Sequence, residues 1–323
     1  MEISALEPRP AFEGHLLARE LVVLGTASQL PTRTRNHNGY LLRWDDQVVL
    51  FDPGEGTQRQ LVCAGESAAG ISTVCVTHFH GDHCMGLPSM LQRMAHDGVR
   101  RPVAVAFPAG GQADYERLLE VAGGGLPPVR AHPVAADGPV LETPRFSVRA
   151  MALDHRVPTV GWRLEEPDSR RMLPERLAAA GIQGPMVGEL RREGFLRVDG
   201  RLVRVEEVSA PRPGQKFAFV MDTRVCDAAV ALAKDVDMLV CESTFLEPEA
   251  DLAEAYGHLT AAQAGLIAAE AGARLLVLTH YSERHPDAAA FCAEARRIHP
   301  ATVAARDLTR ITVPARRLVG PSR

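Results

Sequence analysis

The chain has 323 residues, is 46% apolar and 24% charged, and carries a net charge of −4. This is a normal globular balance, with length for one large domain or two ordinary ones. The slight acidity excludes a uniformly basic nucleic-acid binder, so any nucleic-acid contact must come from a local patch.

"MEISALEPRPAFEGHLLARELVVLG" has early acids and no basic segment leading into an apolar stretch, so no signal peptide is expected. No run approaches the ~18 apolar residues that span a bilayer. The expectation is a soluble, cytoplasmic protein with no membrane partner. The cysteines Cys63, Cys75, Cys84, Cys226, Cys241 and Cys292 form no Cys-x-x-Cys pair and read as free, mostly buried thiols. Lys216 and Lys234 are the only lysines, a bias toward arginine that reads as genome composition.

In chain order, short apolar runs bounded by Gly, Pro, Asp or Thr predict strands. They are "ELVVLGTAS", "QVVLFDPGEG", "STVCVTH", "PVAVAFPAG", "SVRAMALDH", "KFAFVMDT", "DMLVCEST" and "RLLVLTH". "DYERLLEVA" and "TAAQAGLIAAEAGA" predict helices, the second capped by Thr260 and stopped by Gly272. The chain is therefore mixed α/β.

Several strands end on a residue able to bind metal: His78, Asp154 with His155, Asp222, Glu242 and His280. Ligands at the mouths of parallel strands sit on a rigid frame. There is also an internal echo. "VVLFDPGEGTQRQL" then "STVCVTHFHGDH" is similar to "FAFVMDTRVCDAAV" then "ARLLVLTHYSERH". Both read strand, aspartate turn, helix, strand, His, which suggests two similar halves.

Between about Glu166 and Gln215 the text turns polar and is dotted with Gly and Pro, as an excursion from the core would be. From Arg170 to Arg204 eight arginines face four acids, a net of +4. The alternative is a disordered, solvated insertion.

The densest chemistry lies in "THFHGDHCMGLPSML", with His78, His80, Asp82 and His83 inside six residues. In an extended segment residues i and i+2 point the same way, so His78 and His80 can converge on one ion. Gly81 permits a tight turn, and Asp82 and His83 then open a helix aimed at a neighbouring position. One loop thus feeds two adjacent sites. Imidazole and carboxylate donors suit zinc, with manganese or iron as competitors. A pair of such ions is the usual apparatus for displacement at phosphorus.

"THFHGDH" resembles the His-x-His-x-Asp-His signature of the metallo-β-lactamase superfamily, whose fold is an αββα sandwich of two similar halves. The signature is specific for fold and weak for substrate. "LGTASQLPTRTRN", "FDPGEGTQRQL", "HGDHCMGLPSML", "LDHRVPTVGWRL", "MDTR", "CESTF", "HLTAAQA" and "LTHYSERH" resemble, in order, motifs of the ribonuclease Z family. Pro53, Ser89 and Met221 depart from that pattern, standing where Cys, Gly and a small residue are more usual.

The resemblance implies a single metallo-β-lactamase-fold domain over 1–323, with a protruding flexible arm at roughly 166–215. It implies two zinc ions per subunit: His78, His80 and His155 on one, Asp82, His83 and His280 on the other, Asp222 bridging. It further implies that Asp82 accepts the proton of the attacking water and that His258 protonates the leaving 3′ oxygen. Glu242 either orients His258 or is a structural ligand behind the metal site without a proton role. The implied substrate is precursor tRNA, cut to remove its 3′ trailer. The arm would grip the tRNA elbow, serving the active site of a homodimer partner.

Two other readings stay open. One is a small-molecule phosphodiesterase or another hydrolase on the same scaffold, and the other is a non-catalytic RNA-binding relic. The seven expected ligands argue against the relic. His15, His37, His96, His132, His285 and His299 carry no assigned role.

Overall fold

The computed structural model describes residues 19–143 and 145–316. His15, and the stretch to residue 18 that bears on a targeting signal, lie outside them. The chain divides into two compact units. Among the described residues, one comprises 19–133 with His280–Pro286 and Ala305–Val313, and the other Val134–Thr279 with Asp287–Ala304 and 314–316. Among the described residues no helix is long and apolar enough to cross a membrane.

The first unit is built on strands β1 (Glu20–Gly25), β2 (Gly39–Trp44), β3 (Gln47–Phe51), β4 (Ile71–Cys75), β5 (Val103–Pro108) and β6 (Val129–Val134). Its helices are α1 (Thr57–Cys63), α2 (Gly81–Cys84), α3 (Leu87–His96) and α4 (Gln112–Ala122). The six strands lie side by side in chain order, and a late strand, Arg310–Thr312, joins beside β1. Pairing is antiparallel from that late strand through β3, then parallel from β3 to β5.

Alternation places Val22, Leu24, Leu41, Leu50 and Val74 on the face that α3 covers with Leu87, Met90, Leu91 and Met94. Those α3 positions follow the i, i+3, i+4, i+7 spacing of one helix face. Truncating Leu50 to Ala there would cost about 2–5 kcal/mol.

The second unit is built on β7 (Gly138–Glu142), β8 (Ser147–Ala152), β9 (Val160–Glu165), β14 (Lys216–Val220), β15 (Met238–Glu242), β16 (Leu276–Thr279) and β17 (Thr302–Ala304), and β18 is the late strand of the first unit. The gap in that series is the arm: β10 (Ser169–Met172), β11 (Phe195–Val198), β12 (Arg201–Arg204) and β13 (Ser209–Arg212), with helices α5 (Pro174–Ala179) and α6 (Pro185–Glu193). Helices α7 (Asp227–Ala233), α8 (Ala250–Tyr256), α9 (Ala261–Glu270) and α10 (Ala289–Arg296) complete the unit. Its sheet runs β17-β16-β15-β14-β9-β8-β7, parallel from β17 to β14 and antiparallel beyond. Two successive antiparallel pairings make β8 run with β14, so β8, β14, β15 and β16 all end at one edge. Thr260 caps α9 through a reciprocal capping box with Gln263, and Gly272 follows the helix at φ +67.

The internal echo holds in kind but not in pairing. In the first unit β3, Asp52, α1 and β4 follow one another, and β3 pairs with β4. In the second, β14 pairs with β15, which ends in Glu242; the strand leading to His280 lies one place further out. Both aspartate turns adopt the left-handed backbone, with φ 42 at Asp52 and φ 43 at Asp222.

The excursion is a folded element, not a disordered insertion. β10 and β13 pair as a stem, and β11 and β12 as a hairpin. Leu177, Ile182, Leu190, Val203, Val205 and Val208 bury one another in a core of the arm's own. Arg191 and Arg197 are exposed on it.

Candidate metal centre

The first unit gathers its donors on the loop after β4 and on the turn that begins at His280. His80 caps α2, so Asp82 and His83 occupy its first turn. A side chain on Gly54 would lie 2.1 Å from the Asp82 carbonyl, and one on Gly86 2.0 Å from the Gly54 carbonyl. Only glycine allows these backbones to meet, which holds the loop of donors in place. Pro53 and Ser89 fit this packing. The Pro53 carbonyl accepts from Gly86 N–H at 2.8 Å, and Ser89 Oγ donates to the Gly86 carbonyl at 2.9 Å.

Asp82 Oδ2 lies 3.2 Å from His83 Nε2 and 3.4 Å from His280 Nε2. A tetrahedral ion with ligands at 2.0–2.1 Å would separate its ligand atoms by about 3.3 Å. The three donor atoms therefore fit one divalent ion. Burial pushes the Asp82 carboxyl up, but the His83 and His280 rings more than offset this and hold it below the ordinary carboxylate range. It is a ready anionic ligand. His78 and His80 meet as expected, with His78 Nε2 2.9 Å from His80 Nδ1.

Second partners select which ring nitrogen can ligate. His83 donates Nδ1–H to Asp52 Oδ2 at 2.8 Å, so Nε2 is the unprotonated ring nitrogen able to ligate a metal, with Asn38 Nδ2 at 3.3 Å from it. Asp52 also accepts from Thr77 N–H and from the Thr77 hydroxyl, each at 2.7 Å. With that hydroxyl donating to Asp52, its oxygen accepts from His78 Nδ1–H at 3.1 Å, so Nε2, which faces His80 Nδ1, is the unprotonated ring nitrogen. Burial pushes the Asp52 carboxyl above its usual range, while His83 and the Thr77 donors pull it back. Sequence reasoning missed Asp52 and Thr77. The signal was available in the echo, where "LFDPG" stands opposite "VMDTR".

The second unit presents His155, Asp222 and Glu242 from the common edge of its strands, and His258 from the loop between α8 and α9. His155 Nε2 lies 3.7 Å from Asp222 Oδ2, and the His155 and His258 rings are 5.3 Å apart. His155 donates Nδ1–H to the Gly257 carbonyl at 2.8 Å, so it too offers Nε2. Burial depresses its pKa against the upward pull of Asp222, favouring the neutral, ligating ring. Met221, which precedes the Asp222 turn, is fully buried.

Glu242 is also fully buried and accepts from Thr223 N–H at 2.8 Å and the Thr244 hydroxyl at 2.7 Å. Its Oε1 takes His258 Nδ1–H at 3.1 Å, which directs the opposite ring nitrogen outward. Thr223 and Thr244 carry no signal in the sequence that would single them out. Asp154 is no ligand here: it is half exposed and pairs with Arg224 at 3.2 Å. The donor sets fit divalent metal in both units: neutral imidazoles with fixed tautomers, and carboxylates that each have a ring beside them.

Residues 32–170 match the profile of the Metallo-beta-lactamase superfamily, and residues 203–281 that of the Beta-lactamase superfamily domain. The chain is 56% identical to a protein named Ribonuclease Z from Salinispora arenicola, over 93% of this chain and 98% of the relative. A Ribonuclease Z from Thermobifida fusca is 54% identical over 94% of this chain and 97% of its own. The structure of human tRNase Z, short form, superposes with a TM-score of 0.66 at 24% identity, covering 92% of this chain and all of that one. The fold is thus the metallo-β-lactamase fold, and the chain belongs to the ribonuclease Z family.

Proposed function

We propose that this chain is a metal-dependent endoribonuclease that removes the 3′ trailer of precursor tRNA, leaving a 3′-hydroxyl on the tRNA. The observation that carries the reading is the Asp82, His83 and His280 cluster with its Asp52 support, in a chain more than half identical to ribonuclease Z proteins over nearly its whole length. His78, His80 and His155 would hold one zinc ion, Asp82, His83 and His280 a second, with Asp222 shared between them; manganese or iron could substitute. The bound ions would supply Lewis acidity and neutralise charge on the phosphate oxygens.

The remaining work falls to side chains. Asp82, beside both rings of its cluster, is assigned the proton of the attacking water. The scissile phosphorus–oxygen bond breaks, and His258 protonates the departing 3′ oxygen. Glu242, held by two threonines, keeps His258 in the tautomer able to do so. The arm at 166–215, with Arg191 and Arg197 exposed, would contact the tRNA through its phosphates, which positions the substrate without reading its sequence. The arms of a homodimer would each serve the partner's site. Such an enzyme would work in the cytoplasm, as one large domain with a protruding arm.

The test is cleavage of a precursor tRNA with a 3′ trailer, by wild type and by a deletion of 170–204, alongside a small chromogenic phosphodiester. Loss of tRNA cutting with retained ester turnover supports an RNA clamp. Equal tRNA cutting by both proteins would remove the arm from the account. Ester turnover with an intact precursor would move the substrate to small phosphodiesters.

A further inference from the structure

The two lysines of this arginine-rich chain stand on different elements, yet both line one cavity of about 310 Å³ in the second unit. Arg149 and Arg163 line it as well, with Glu165 and Asp235 as its acids. Arg163 and Glu165 neutralise one another at 2.7 Å. Among the described residues Arg149, Lys216 and Lys234 have no acidic partner within 4.0 Å, so the cavity keeps three free cations against Asp235.

The walls are held firmly. Arg163, buried, donates to the carbonyls of Leu232 and Lys234, the latter at 2.8 Å, and so ties β9 to the end of α7. Asp237 accepts from Lys216 N–H at 2.9 Å and donates its own N–H to the Lys216 carbonyl at 2.8 Å. Asp237 is itself paired with Arg274 at 2.6 Å. Both lysine backbones are therefore pinned by buried partners, while Lys234 stays exposed and Lys216 half-buried.

We propose that this cavity is a binding site for a phosphate group, separate from the metal centre. Cations without acidic partners around one cavity suit a compact polyanion, and the volume reaches the lower end of small-ligand sites, roughly 300 Å³. Lys216 opens β14 and Asp222 follows its end, about 20 Å away along the strand. The group bound there is not the scissile phosphate. Its source is a free nucleotide or pyrophosphate, or a backbone phosphate of bound RNA beside the root of the arm.

The lysine scarcity makes a direct test possible. Amine acetylation of the intact protein, followed by peptide mass spectrometry, reads Lys216 and Lys234 with the N-terminal amine as internal control. Pyrophosphate or adenosine monophosphate at ten times its Kd should slow both lysines about ten-fold while sparing the N-terminal amine, and Arg149→Ala should abolish the protection at an unchanged melting temperature. That result assigns a free ligand. Protection by precursor tRNA alone, again abolished in Arg149→Ala, assigns an RNA phosphate. Equal labelling under all conditions, or protection reproduced by sodium chloride at matched ionic strength, overturns the proposal. The free-anion arm does not depend on the tRNA reading.

Discussion

Asp52 takes the Nδ1–H of His83 at 2.8 Å while Thr77 donates to the same carboxylate twice. This buried acid decides which nitrogen of His83 carries the proton and which could ligate a metal. Asp52→Asn keeps the shape but places an amide among three donors. We expect about a 10–100-fold loss of metal affinity or activity, read by bound-metal analysis and phosphodiester turnover. Unchanged metal content and turnover would reduce Asp52 to a packing residue.

Glu242 bears the same relation to His258, the proposed proton donor. Glu242→Gln should lower kcat on precursor tRNA by about 100-fold, with bound metal unchanged and little effect on KM. His258→Ala should match it, and the double variant should add little, because the two act as a unit. Additive losses would mean that Glu242 has a separate structural role.

Arg191 and Arg197 stand exposed on the arm. Reversing both to Glu should weaken precursor binding and flatten its salt dependence, by about one unit of slope for each phosphate no longer bound. Turnover of a small ester should not change. A filter-binding series across salt concentrations reads both effects.

Asp307 anchors the loop before β2, accepting from Thr26 Oγ1 and Asn36 N–H, each at 2.7 Å. Burial raises its pKa above the ordinary 3.8 despite these donors. The native state therefore holds this proton more tightly than the unfolded chain. Its contribution is greatest below pH 3.8 and declines as pH rises through the raised native value. Relative to Asp307→Asn, wild type should lose stability across that window and then level off. Denaturant melts of both proteins at stepped pH give the comparison, and a wild-type advantage that grows with pH would contradict it.

How far these features were legible in the sequence depended on their range. The Thr260 cap and the Gly272 stop are local, and their chemistry is written in adjacent letters. The His78 to His83 cluster was legible because four donors crowd one loop. Asp52 was not, because a lone aspartate after a strand reads equally well as a turn, and its partners lie 25 and 31 positions away. The echo matched β14 with the strand before His280 because two strand–helix–strand units look alike along one dimension. In space β14 pairs with the next strand in sequence, as adjacent elements usually do. A disordered insertion stood as the alternative to a folded arm because the stretch is dotted with Gly, Pro and charge, with no long apolar run. Six small and medium apolar side chains, spread from Leu177 to Val208, still find one another and close a core.

The most direct measurement is end mapping after incubation of the zinc-loaded protein with a precursor tRNA bearing a 3′ trailer. The account predicts a single cut that leaves a 3′-hydroxyl on the tRNA and a 5′-phosphate on the trailer, absent in His258→Ala and in metal-stripped protein and restored by adding zinc back to the latter. An intact precursor under conditions where a small phosphodiester is hydrolysed, or cleavage indifferent to metal removal, would contradict it.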